Sequence, residues 1–181
     1  MALRRGFKSE ANWWSREMRR ELELQPIDPI CPWALCEHLG IPVQALSEFG
    51  QHASEAVAYL GTPKGRKEFS AVTGVDCGHR FIIHNDTHNR KRQASNLAHE
   101  IAHALLQHPA HAMLNAHGQR IYDRMLEEEA GWLGPALLIS EEAALHIAAT
   151  MTNEQASEIY GASLDVVRMR LNVLGAHRRV A

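Results

Sequence analysis

Cysteine is scarce in this chain. Cys31, Cys36 and Cys77 are its full complement in 181 residues, an odd set without the paired spacing of a disulfide framework or a cysteine-rich zinc site. A reducing compartment is therefore expected, with Cys31 and Cys36 as packing residues. Long apolar runs are also missing: none approaches the ~18–20 residues that span a bilayer. The opening Met1-Ala2-Leu3-Arg4-Arg5-Gly6 lacks the apolar core of a signal peptide, so the expected location is cytoplasmic. Charge of one sign is lacking too. A net charge of −2 at pH 7 gives no global attraction to nucleic acid. What is left is ordinary globular composition, 45% hydrophobic and 22% charged. The length suffices for one domain with a real core, or one domain plus a small appendage.

Histidine is abundant by contrast, with twelve in the chain. Two of them stand four apart in Ala98-His99-Glu100-Ile101-Ala102-His103. The flanking Leu97, Ile101 and Leu105 recur at helical spacing, and Pro109 stops the run. On a helix, His99 and His103 lie one turn apart on the same side, with Cβ atoms roughly 5–6 Å apart. Two imidazoles so placed can share a Zn²⁺ ion at about 2.0–2.1 Å each. Glu100 is offset by about 100° around the helix. It is poorly placed to be a ligand but suited to act as general base on a water at the metal. The competing interpretation is two satisfied core histidines and a surface glutamate, which the helical setting makes the weaker of the two.

A third ligand must come from elsewhere. A metzincin would continue with glycine at 106 and histidine at 109, but Leu106 and Pro109 stand there. His108 is one residue off and is expected to point away. The acidic run Glu127-Glu128-Glu129, at the start of a second helical stretch, supplies the better candidate. A carboxylate there completes the His₂Glu set of catalytic zinc. Taken without the upstream motif, three glutamates are the solvated first turn of a helix.

The rest of the chain places these motifs. Residues 8–24 read as a helix with Trp14, Met18 and Leu22 spaced by four. Pro32 opens a short helix over Trp33–Leu39, closed by Gly40, and an extended segment starts at Ile41-Pro42-Val43. Residues 47–58 are ambiguous. Extended runs near Ala56–Leu60, Phe69–Thr73 and Arg80–His84 predict a small sheet packed on the motif helix. Asp86 or Thr87 is expected to cap that helix. Residues 107–124, with His108, His111 and His117, read as a loop between the two metal-binding helices. A helix over 123–139 follows, which Pro135 is expected to kink. Ser140 begins another helix, Thr152 and Gln155 form a reciprocal cap, and two short helices joined at Gly161 look like a helix-turn-helix unit. Arg168, Arg170, Arg178 and Arg179 give that unit a mild positive edge, too thin for a phosphate footprint. The expectation is an α+β fold. A mostly helical zincin-like domain spans 1–140, and a C-terminal helical extension over 141–181 packs on it.

Together these segments resemble the ImmA/IrrE-type zinc metallopeptidase family, a gluzincin-like group, over most of the chain. The matching stretches begin with Arg20-Glu21-Leu22, Asp28-Pro29 and Trp33-Ala34-Leu35-Cys36-Glu37-His38-Leu39-Gly40-Ile41-Pro42-Val43. They continue with Ile82-Ile83-His84-Asn85 and with Arg92 through Leu106. The last, Glu127 through Ser140, answers the family's second motif, E-x-E-A-N-x-F-A-x-x-L-L-M-P. The resemblance selects Glu127, four residues before the Asn position, as the metal ligand over Glu128 and Glu129. It implies His99, His103 and Glu127 around Zn²⁺ with Glu100 as catalytic base. It further implies a protein substrate, a transcriptional repressor cut under stress or in mobile-element control. Gly131 stands where the family usually has asparagine, and Gly134-Pro135 and Ile139-Ser140 also depart from the pattern. Losing a side chain that orients a metal ligand costs roughly 10–100-fold in affinity or activity. An oxyanion stabiliser is also needed; Tyr122 and His117, which precede the second motif in the connecting loop, are candidates, and the sequence selects neither. The competing function is a zinc-containing regulator that binds DNA or a repressor through its C-terminal helices with little peptidase activity.

Overall fold

Apolar side chains at every third or fourth position fold Phe7–Glu21 into the first helix, α1, whose Phe7, Ala11 and Met18 are buried. In this computed structural model, which describes residues 3–109 and 123–180, the chain is α+β and mostly helical, with a three-stranded mixed sheet. Pro32 starts α2 (Pro32–His38), as its preset φ favours the first helical position. The strands are β1 (Val43–Ala45), β2 (Ala71–Asp76) and β3 (His79–His84), in the order β1-β3-β2. Central β3 runs parallel to β1, with Val43 opposite Ile82, and antiparallel to β2, with Ala71 opposite His84. Cys77 and Gly78, with φ of 47° and 83°, make the two-residue hairpin turn between β2 and β3.

The expected strand near Ala56–Leu60 is instead a helix, α3 (Ser54–Leu60), and β1 occupies the sheet position it would have filled. The run is too short for periodicity to decide, and two alanines favour helix. None of its residues is buried, so it has no face to give a sheet. A single turn, α4 (Gly65–Glu68), leads into β2. Cys36 is buried as expected, and burial pushes its thiol up to about 12. Cys31 differs: it is exposed at the start of α2, outside the core.

The motif helix is α5 (Arg90–Leu105). Its cap is Asn89, whose side chain accepts from Arg92 N at 2.9 Å, and neither Asp86 nor Thr87. Both expected caps are engaged elsewhere: Asp86 accepts from Ser47 N, and the Thr87 hydroxyl donates to Asn85 Oδ1. Leu97 and Ile101 of α5 are wholly buried, while Leu105 is partly so. Asp123 caps α6 (Arg124–Leu138), accepting from Met125 N and Leu126 N, and the helix continues through Pro135. The missing side chain of Gly134 lets α5 and α6 approach closely. A Cβ on Gly134 would stand 3.0 Å from His99 N and 3.1 Å from Ala98 C and O.

Two apolar clusters result. Phe7, Met18, Leu35, Ile82, Ile101 and Leu133 centre the first, between α1, α5, α6 and the sheet. The second gathers Leu138, Ile139, Ile147, Tyr160, Val167 and Leu171 with Ala98 of α5. It holds α7 (Glu141–Thr150), α8 (Asn153–Ile159), α9 (Leu164–Leu174) and α10 (Ala176–Val180). Ser140, Thr152 and Ser163 cap α7, α8 and α9, and Thr152 and Gln155 form the expected reciprocal cap. The expected positive edge is reduced. Arg170 is buried, donating to Ile139 O, and Arg179 pairs with Glu141 at 2.6 Å. No helix among the described residues is long and apolar enough to cross a membrane.

Candidate metal centre

The 3.6-residue turn of α5 brings His99 and His103 side by side, with ring centroids 4.8 Å apart. Their Nε2 atoms face each other at 3.1 Å. Glu127, in the first turns of α6, reaches between the helices. Its Oε2 lies 3.1 Å from His99 Nε2 and 3.9 Å from His103 Nε2. These three groups form the set among the described residues that could hold a metal ion, with donor atoms all within 4.8 Å of one another. Ligands bound tetrahedrally at 2.0–2.1 Å would stand about 3.3–3.4 Å apart. The observed spacings bracket that value, and two ring nitrogens with a carboxylate oxygen are a zinc donor set. The residues therefore fit the ion.

The three glutamates diverge because successive helical residues are about 100° apart. Glu127 faces the histidines. Glu128 turns outward to Arg124 at 2.8 Å. Glu129 turns inward and is buried, accepting from Arg4 Nε at 2.7 Å. Glu100 is also buried, on the side of α5 that faces β2, where Thr73 Oγ1 donates to its Oε2 at 2.6 Å.

His108 overturns an expectation. It does not point away from the site: its Nδ1 lies 2.9 Å from His103 Nδ1, and its Nε2 lies 3.3 Å from Glu129 Oε2. Burial, against the opposing pull of Glu129, lowers its pKa and favours the neutral ring. The chain reaches this position through a Schellman turn at the end of α5. Gln107 N bonds Ala104 O and His108 N bonds His103 O, each at 3.0 Å, with Gln107 at φ 52°. Arg80 of β3 then anchors the His108 carbonyl. Sequence reasoning missed His108 because glutamine, in place of the usual glycine, occupies the left-handed position and hides the turn. It missed Thr73 and Arg4 because neither belongs to a motif. Alternation along β2 could have flagged Thr73 as a polar residue two along from buried Ala71. His111, His117 and Tyr122 lie outside the described residues.

A cavity of about 940 Å³ borders Glu127, with Phe7, Trp132, Met169 and Val173 among its apolar lining and Gly131 in its wall. A Cβ at Gly131 would meet nothing within 4 Å. The asparagine expected from the resemblance would therefore project into open space.

Comparison with known families accords with this geometry. The model of the peptidase M78 family, described as the IrrE N-terminal-like domain, matches residues 36–172. The chain belongs to this family. Neither a curated protein nor a solved structure matches it. The M78 match covers β1 through most of α9, and so includes His99, Glu100, His103 and Glu127 but not α1.

Proposed function

We propose that this M78 family member is a zinc-dependent endopeptidase, with His99, His103 and Glu127 as ligands and Glu100 as catalytic base. The convergence of the three donor atoms beside a buried, anchored Glu100 carries this reading. Zinc, when bound, polarises the scissile carbonyl and lowers the pKa of a water to about 7. His99 and His103 would hold the ion through Nε2 and Glu127 through Oε2. Thr73 occupies Oε2 of Glu100 and fixes the carboxylate, so Oε1 takes the proton from the attacking water. The same oxygen returns that proton to the leaving amide nitrogen as the C–N bond breaks. The cavity beside Glu127 offers room for substrate side chains flanking the cut.

For the substrate we propose a helix-turn-helix transcriptional repressor, with cleavage serving stress response or mobile-element control in the cytoplasm. Family membership supports this part. DNA binding is not favoured, because two of the four C-terminal arginines counted toward it are buried or paired.

The test is a cleavage assay on such a repressor, with metal analysis alongside. Glu100→Gln should retain zinc and lose cleavage by several orders of magnitude, whereas His99→Ala should lose both. A Glu100→Gln protein that cuts as fast as the wild type would sink the mechanism.

A further inference from the structure

The metal centre does not end at its ligands. His103 meets His99 and Glu127 with Nε2, so in a metal-holding chain that nitrogen carries a lone pair and the proton sits on Nδ1. That proton has His108 Nδ1 opposite it at 2.9 Å. His108 must then accept with Nδ1, which puts its own proton on Nε2, facing Glu129 Oε2 at 3.3 Å. Glu129 accepts it on Oε2, while its other oxygen accepts from Arg4 Nε at 2.7 Å. Arg4 is held in turn by Glu10, with its two terminal nitrogens each 2.7 Å from a Glu10 oxygen. Each step fixes the direction of the next, so one arrangement of protons satisfies the whole chain. Reversing any ring would set two donors or two acceptors against each other.

We propose that Arg4, outside the span matched by the family, is a positioning residue of the metal centre. Through Glu129 and His108 it fixes the tautomer and ring orientation of His103. Gly6, at φ 84°, turns the N-terminal arm so that Arg4 folds back over Phe7, 5.0 Å from the ring, and reaches Glu129. The N-terminal arm is thereby part of the metal-binding apparatus, coupled to zinc over four side chains. Removing groups that orient a metal-bound imidazole typically weakens metal binding roughly 10–100-fold.

The proposal rests on the metal-site reading above, and its test reads metal rather than cleavage. Zinc affinity would be measured by competition with a chromophoric chelator, and ligand geometry by the visible spectrum of the Co²⁺-loaded chain. Thermal unfolding of the metal-free proteins would report on folding. His108→Gln and Glu129→Gln should each weaken zinc binding about 10–100-fold and shift the cobalt spectrum. Arg4→Met should weaken it by a smaller factor, and that factor should vanish in the Glu129→Gln background, because both changes cut the same chain. Arg4→Lys, which keeps charge but cannot bridge Glu10 and Glu129 together, should fall between. Arg5→Met should change nothing. The proposal is overturned if Arg4→Met keeps wild-type zinc affinity and cobalt spectrum, or if its effect adds undiminished to that of Glu129→Gln. A wild-type chain that binds neither ion overturns the metal-site reading itself, a result separate from either of these.

Discussion

Two glycines three residues apart on α6 should respond to the same substitution with opposite signs. Gly131 is exposed within a helix, and a Cβ there meets nothing within 4 Å. Gly131→Ala should therefore stabilise the metal-free chain by about 0.5–1 kcal/mol, the helix-interior cost of glycine. Gly134 lies where α6 rides on the backbone of α5, and an added Cβ would stand 3.0 Å from His99 N. Gly134→Ala must push the helices apart, at about 1–3 kcal/mol, and should weaken zinc binding by displacing His99 relative to Glu127. Urea unfolding of the two variants checks the signs, and a Gly134→Ala protein as stable as wild type contradicts the packing account. The sequence shows both glycines and cannot rank them, because their difference lies in the neighbouring helix. The same limit applied to His108, whose place in the site depends on a left-handed Gln107 that composition does not announce. His99, His103 and Glu127 were legible because helical periodicity fixes where i and i+4 side chains point, and because the second acidic motif follows a matching pattern.

The helices that carry the ligands were legible as elements for a related reason. Helices α5 and α6 are long, amphipathic and capped, so periodicity identifies them. Helix α3 was misread because its seven residues, none of them buried, carry no burial pattern of either period. What holds α6 in place was invisible for another reason: its C-terminal carbonyls are satisfied by arginines distant in sequence. Arg19 is 1% exposed and donates to the carbonyls of Ser15, Asp28, Leu137 and Leu138. Burial lowers its pKa to about 10, which leaves it charged at neutral pH and complementary to the negative end of α6. Arg170 shares that burial, yet it donates to Ile139 O alone among the described residues, and its Nη2 has no partner there. Replacing Arg19 strands several buried carbonyls, so Arg19→Met should cost about 3 kcal/mol or more. Arg170→Met also removes an unsatisfied donor and should cost under about 1.5 kcal/mol. Denaturant unfolding of both variants at pH 7 tests the ranking, and equal losses would show that bond count at the α6 terminus does not decide it.

At the scale of the whole molecule, buried histidines tie stability to pH. Burial, the largest influence, lowers the pKa of His84, with Arg90 acting in the same direction and Asp86 and Glu48 opposing. Burial likewise lowers that of His88, reinforced by Arg92 and Arg66 against a hydrogen bond to Phe69 O. Both therefore stay neutral in the folded chain at pH values where an unfolded histidine, with its pKa near 6.5, is already charged. The sign follows: above about 6.5 neither state binds the extra proton, and the full stability is present. As pH falls below that value the unfolded chain takes up protons that the folded chain refuses, and stability declines through the depressed folded pKa values. The metal-free chain should thus unfold at lower urea concentration at pH 5.5 than at pH 7.5. Replacing both His84 and His88 by glutamine should shrink that difference, whatever it does to stability at pH 7.5. The zinc-loaded chain should show a steeper loss, because His99 and His103 must be deprotonated to hold the ion, and bound metal adds to stability by mass action. A metal-free chain whose urea midpoint is the same at both pH values, or a double variant with an undiminished drop, would overturn the assignment of acid sensitivity to His84 and His88.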